Sequence, residues 1–112
     1  MNVVRTTTYK KALKRLAKRG ATAADIQVME DEIARDPARG DLIQGTGGLR
    51  KLRFAYANIG KRGGGRTIYY ASVRDTVFLL TAYTKTDKAD ITADEKRLFE
   101  TLVKELSDEQ EE

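Results

Sequence analysis

The sequence predicts a small α+β domain: an N-terminal strand and a helical hairpin packed on an antiparallel sheet, with a C-terminal helix closing the chain. Two observations carry this prediction. Apolar residues recur at helical spacing twice before residue 36 and once after residue 92. Between residues 49 and 83 the spacing becomes that of strands, separated by turn signals at residues 60–65 and at Arg74-Asp75. With 112 residues, the chain is expected to form a single domain spanning 1–112.

Residues 3–7 are mostly β-branched and predict a short strand, after which Thr8 is the expected N-cap. Tyr9, Ala12, Leu13, Leu16 and Ala17 then fall on one helical face. Lys10, Lys11, Lys14, Arg15 and Lys18 occupy the other face, with Gly20 as the stop. Thr22-Ala-Ala-Asp25 opens a second helix, Ile26, Met29 and Ile33 give it an apolar line, and Arg35-Asp36-Pro37 ends it.

Residues 37–48 are expected to be non-regular, ending in Gly45-Thr46-Gly47-Gly48. A phosphate-binding loop of the Walker or dinucleotide type leads into a helix, whereas a strand follows here, so these glycines are read as positioning that strand. In residues 49–56, Arg50, Leu52, Phe54 and Tyr56 share one side, and Lys51, Arg53 and Ala55 the other. Past the turn, Arg66, Ile68, Tyr70 and Ser72 alternate with Thr67, Tyr69, Ala71 and Val73, with Tyr69 and Tyr70 assigned to packing. Residues 77–83 are the most apolar segment and predict a central strand buried on both faces. At its end Thr81, Tyr83 and Lys85 share one side. A polar linker, 86–91, leads to the capping box Thr92-Ala-Asp-Glu95 and a helix with Leu98, Phe99, Leu102, Val103 and Leu106 on one face. Its acidic end, 107–112, is expected to fray.

The chain contains no Cys and no His, which excludes disulfides, thiolate nucleophiles, sulfur-ligated zinc and imidazole bases. No cofactor or metal is expected. Any catalysis falls to Lys, Arg, Tyr, carboxylates or the backbone. Formal charge is segregated along the chain: +7 over residues 1–20, −4 over 21–44, +7 over 45–85 and −6 over 86–112, summing to +4. Segregation of this kind predicts a polyanion-binding face rather than charge spread for solubility. No apolar run approaches a membrane span and no leader is apparent, so a cytoplasmic protein is expected.

The ordered set Gly45-Thr46-Gly47-Gly48-Leu49-Arg50-Lys51-Leu52-Arg53-Phe54, Gly65-Arg66-Thr67-Ile68-Tyr69-Tyr70 and Leu80-Thr81-Ala82-Tyr83-Thr84-Lys85 resembles the RelE/HigB-type toxins of bacterial type II toxin–antitoxin modules. The closing helix with Thr92-Ala-Asp-Glu95 is similar to the HigB-like branch. The resemblance implies a small microbial-ribonuclease-like fold and a ribosome-dependent mRNA endoribonuclease that cuts messages in the A site and blocks translation. It implies a cognate antitoxin of HigA or RelB type with a helix-turn-helix, mRNA and the 70S ribosome as partners, and operator DNA contacted only through the antitoxin.

Carried over by position, the resemblance implies Lys51 and Arg53 as strand cations, Arg66 as the transition-state arginine and Lys85 as the cation after the last strand, with Tyr83 beside it. A one-residue slip would exchange Arg50 for Lys51. No Tyr follows Lys85, where the RelE type carries an aromatic, which leaves Tyr83 and Tyr56 to stack on a base.

Cleavage by the RNA's own 2′-hydroxyl needs a proton acceptor, charge at the phosphorane and a donor for the 5′-oxygen. With no histidine, Lys51 crowded by Arg50 and Arg53 is the expected base, Arg66 the phosphorane clamp, and Lys85 or Tyr83 the acid. Arg50, Lys61, Arg62, Lys10, Lys14 and Lys18 are the expected RNA contacts. Two other classes compete: a ParE-like toxin that poisons gyrase without cutting RNA, and a non-catalytic nucleic-acid-binding regulator.

Overall fold

A computed structural model describes residues 1–57, 64–72 and 74–111; Lys61 and Arg62 lie outside the described residues. Strand β1 (Asn2–Arg5) leads into α1 (Thr7–Lys18), and α2 (Ala23–Arg35) follows. The N-cap of α1 is Thr6 rather than the expected Thr8. The sheet edge decides this. The Thr6 hydroxyl accepts from the Tyr9 N–H at 3.3 Å and donates to the Leu79 carbonyl at 2.7 Å, while the Thr8 hydroxyl donates to the Leu80 carbonyl at 2.6 Å. Helix α2 begins with the expected capping box, Thr22 and Asp25 each bonding the other's backbone N–H.

Four more strands follow: β2 (Asp41–Leu42), β3 (Leu49–Phe54), β4 (Gly65–Ala71) and β5 (Thr76–Thr84), then α3 (Ala93–Glu111). The sheet order is β1-β5-β4-β3-β2. Strands β2 to β5 pair antiparallel with their neighbours, and β1 adds a parallel edge to β5. Strand β2 lies within the stretch expected to be non-regular; its two residues are too few to show a period. Among the glycines of that loop, Gly48 has φ 120°, and an added Cβ would stand 3.1 Å from the Tyr70 ring, so this glycine seats the start of β3.

Each face of the sheet has its own core. Tyr9 and Leu16 of α1 and Ile26, Met29 and Ile33 of α2 pack with Leu52, Phe54, Tyr69, Val77, Leu79 and Ala82. Phe99 and Val103 of α3 pack with Leu49, Ile68, Phe78, Leu80 and Tyr83 on the opposite face. With helices on both sides, every residue of β5 is buried, as its continuous apolar run predicts. Each large apolar side chain so buried contributes about 1.5–3 kcal/mol. The first core also contains charge: Glu30, 6% exposed, accepts from the Tyr9 hydroxyl at 2.7 Å and from Arg5 Nη2 at 3.0 Å. Burial, followed by that carboxylate, raises the Tyr9 phenol well above its ordinary value. Tyr69 is fully buried, donating to the Pro37 carbonyl at 2.6 Å and accepting from the Gly40 N–H at 2.9 Å, the packing role expected of it.

Thr92 and Glu95 form the expected capping box of α3, with bonds of 2.9 and 3.1 Å. The helix continues through 107–111, the acidic end for which fraying is expected. Among the described residues, no helix is long and apolar enough to cross a membrane.

Candidate nucleic-acid-cleaving site

The register of the sheet brings the candidate residues together. Arg53 of β3 stands opposite Arg66 of β4, and Arg66 opposite Tyr83 of β5, so the three form one row across the sheet. Lys51, two residues back on β3, points to the same side, which is the face α3 covers farther along. Arg53 is exposed, Lys51 is half-buried, and Lys85, just past β5, is exposed. Arg66 is only 8% exposed; its Nη1 donates to the Gly65 carbonyl at 3.1 Å, which orients the guanidinium.

Tyr83 reaches this row because of a bulge. Ile68 pairs with Thr81 but Tyr69 pairs with Leu79, leaving Leu80 as an extra residue in β5. Leu80 packs on the α3 face, Ala82 then turns to the α1–α2 core, and Tyr83 turns to the α3 face. Unbroken alternation from Phe78 and Leu80 would have put Tyr83 under the helical pair.

Arg50 takes no part in the row. It lies on the opposite side of β3, and its Nη1 donates to the carbonyls of Ala38 at 3.1 Å and Gly40 at 2.7 Å. Of the two neighbouring cations, Lys51 is the one on the side of the row. Tyr56 is buried in the α1–α2 core, 6.4 Å from the Phe54 ring, which leaves Tyr83 as the aromatic at the row. Lys10, Lys14 and Lys18 are exposed along α1, whereas Lys11 and Arg15 line a groove of about 220 Å³ beside Tyr83.

The linker expected to be merely polar is tied to the row. Asp90 Oδ1 lies 3.4 Å from Lys51 Nζ and 3.4 Å from the Tyr83 hydroxyl, and accepts from the Ile91 N–H at 2.8 Å. Lys88 pairs with Glu95 at 2.7 Å, and its ammonium sits 5.1 Å above the Tyr83 ring. Asp87 accepts from Arg19 Nε at 2.9 Å and from the Thr84 hydroxyl at 3.1 Å, clamping the linker to the end of α1. Burial and then the Asp90 carboxylate raise the Tyr83 phenol well above its ordinary value, so it is protonated at neutral pH. Burial opposes ionisation of Asp90, yet the Ile91 N–H and the Lys51 ammonium outweigh it and hold the carboxyl below the usual range. Asp90, Lys88 and Glu95 went unnoticed as site residues in the sequence. The one available signal was a carboxylate two residues before the Thr92 cap, which ties it to a fixed helix start.

Arg53, Arg66 and Tyr83 in one row, Lys51 and Asp90 beside them, and Lys85 just past the end of β5 thus lie at one end of the sheet. Such an array can hold a phosphodiester and move protons about it.

The sequence profile described as "RelE toxin of RelE / RelB toxin-antitoxin system" matches residues 3–112. Among solved structures, the fold is similar to that of an arginine-to-alanine mutant of the E. coli toxin RelE in the free state. That match has a TM-score of 0.53 and 14% identity, and covers 79% of this chain and 86% of the other. The α+β architecture read from the sequence is therefore the RelE fold, and the chain belongs to the RelE toxin family of toxin–antitoxin systems.

Proposed function

We propose that this toxin is a ribosome-dependent mRNA endoribonuclease, cutting messages in the A site by attack of the 2′-hydroxyl on the adjacent phosphate. The observation that carries this is the row Arg53–Arg66–Tyr83 with Lys51 beside it, on one face of the sheet. Arg66, oriented by the Gly65 carbonyl, clamps non-bridging oxygens of the phosphorane, and Arg53 holds the strand. Lys51 contributes charge there rather than accepting a proton: its expected neighbour Arg50 faces away and Asp90 faces it instead. Lys85 is the donor to the 5′-oxygen, since the Tyr83 hydroxyl is directed at Asp90. Tyr83 lines the groove that Lys11 and Arg15 share, a recess for a base next to cations for its phosphates.

None of these groups is a strong acid or base at neutral pH, so the reaction depends on placement. A ribosome that presents the message in one geometry supplies that placement, worth many orders of magnitude in effective concentration. The partners in this reading are the cognate antitoxin, mRNA and the 70S ribosome, with operator DNA reached through the antitoxin. The test is induction of the wild type and of Arg66→Ala, followed by primer extension on a translated message. New 5′ ends inside the reading frame are expected for the wild type and not for the variant. Growth arrest without such ends contradicts the nuclease reading and favours a gyrase-poisoning toxin; equal cutting by Arg66→Ala contradicts the site.

A further inference from the structure

We propose that Asp90 is the general base of the cleavage reaction, accepting the 2′-hydroxyl proton on its Oδ2. The assignment rests on the nuclease reading above and supplies the one role the row leaves unfilled. A chain without histidine has a carboxylate or an amine to use, and Lys51, the amine beside the row on β3, is matched by a carboxylate.

Three features of Asp90 suit the role. Its placement is fixed: Ile91 is buried, Thr92 caps α3, and the Ile91 N–H holds Oδ1 at 2.8 Å. It sits among the other reacting groups, with Lys51 Nζ and the Tyr83 hydroxyl both 3.4 Å from Oδ1. These two distances are long for hydrogen bonds, as such bonds often are before substrate arrives. Finally, Oδ1 carries all three contacts, whereas Oδ2 makes no hydrogen bond among the described residues and the side chain is 53% exposed. One oxygen is anchored and the other is open to an incoming hydroxyl.

The charged and titratable groups facing this carboxylate are Lys51 on β3 and Tyr83 on β5. Arg66 on β4 and Glu95 at the start of α3 act on Tyr83. Their net effect keeps the acid ionised at neutral pH, so the accepting form is the one present. In the step itself, the 2′-O–H proton passes to Oδ2 and the 2′-oxygen bonds to phosphorus. The P–O5′ bond breaks, and the 5′-oxygen takes a proton from Lys85. The products are a 2′,3′-cyclic phosphate and a 5′-hydroxyl; no redox partner is needed.

The experiment is single-turnover cleavage of a defined mRNA on ribosomes, from about pH 5 to 9, for the wild type, Asp90→Asn, Asp90→Ala and Arg66→Ala. Ribosome binding and melting are measured alongside. Asp90→Asn keeps an acceptor for the Ile91 N–H and is expected to cut about 10²–10⁴-fold more slowly while binding ribosomes as the wild type does. Across this range the Asp90 carboxyl, held below the usual carboxylate range, stays ionised and adds no acid limb to the wild-type rate. Added acetate restores cleavage to Asp90→Ala in proportion to its concentration. Cleavage by Asp90→Asn within about threefold of wild type overturns the assignment. So does a slow Asp90→Asn together with an Asp90→Ala that ignores acetate, which makes Asp90 a positioning residue. If Arg66→Ala is inactive in either case, the nuclease reading stands without Asp90. If the wild type does not cut at all, both fall.

Discussion

Gly65 sits beneath the row, directly opposite Phe54 on β3, and packing there determines how β4 presents Arg66. A Cβ added at Gly65 would stand 2.7 Å or less from three ring carbons of Phe54. Real side chains do not approach so closely, and the ring cannot swing out, being 3% exposed and packed among the core residues of α1 and α2. Gly65→Ala therefore acts as overpacking at the upper end of its usual range, about 3 kcal/mol. For a chain of this length that lowers Tm by about 12 °C. Phe54→Leu alone costs about 1–2 kcal/mol through the space it leaves. Because the smaller side chain leaves room for the new methyl, the double variant should be more stable than the sum of the singles by about 1 kcal/mol or more. Urea denaturation of the four proteins completes the cycle. Additivity within about 0.5 kcal/mol would mean that Phe54 is not what makes glycine necessary at 65.

Tyr9→Phe leaves Glu30 Oε2 without its buried donor and should cost about 1.5–3 kcal/mol in urea denaturation; a change below about 0.5 kcal/mol would remove the Arg5–Glu30–Tyr9 cluster from the account of the core. Arg50→Ala strips the carbonyls of Ala38 and Gly40 of a donor and should cost about 1 kcal/mol, read in the same way. Asp25, Asp87, Asp90 and Glu95 all have folded-state pKa values below their ordinary ones, Asp25 chiefly through backbone N–H groups of Thr22 and Ala57. A lowered carboxyl pKa stabilises the fold above the unfolded value and loses that contribution as pH falls through the folded one. Melting temperature should thus decline from about pH 5 toward pH 3, and Asp25→Asn should flatten part of the decline. A profile unchanged by that substitution would mean Asp25 is not linked to folding.

The elements that rest on local rules were legible. Helix faces follow from a 3.6-residue period, the caps at Thr22 and Thr92 from spacing alone, and the burial of β5 from its unbroken apolar run. What resisted were features set by partners distant in sequence. Thr6 rather than Thr8 caps α1 because two carbonyls of β5 compete for both hydroxyls. The Leu80 bulge has no mark in the sequence, yet it decides which core Tyr83 faces. Strand alternation placed Arg50 and Lys51 on opposite sides, but only the loop carbonyls at 38 and 40 show which side is structural. The contact of Asp90 with Lys51 joins residues 39 apart, through a linker whose composition reads as solvent-exposed.

The central claim is that the row at the end of the sheet cuts RNA when a ribosome presents it. The most direct measurement uses purified toxin, one defined mRNA, and 70S ribosomes holding that message with an empty A site, beside the same message free in solution. The account predicts a single cut in the A-site codon leaving a 2′,3′-cyclic phosphate, little cutting of the free message, and none by Arg66→Ala. Intact mRNA on the ribosome with a correctly folded wild-type toxin would contradict it.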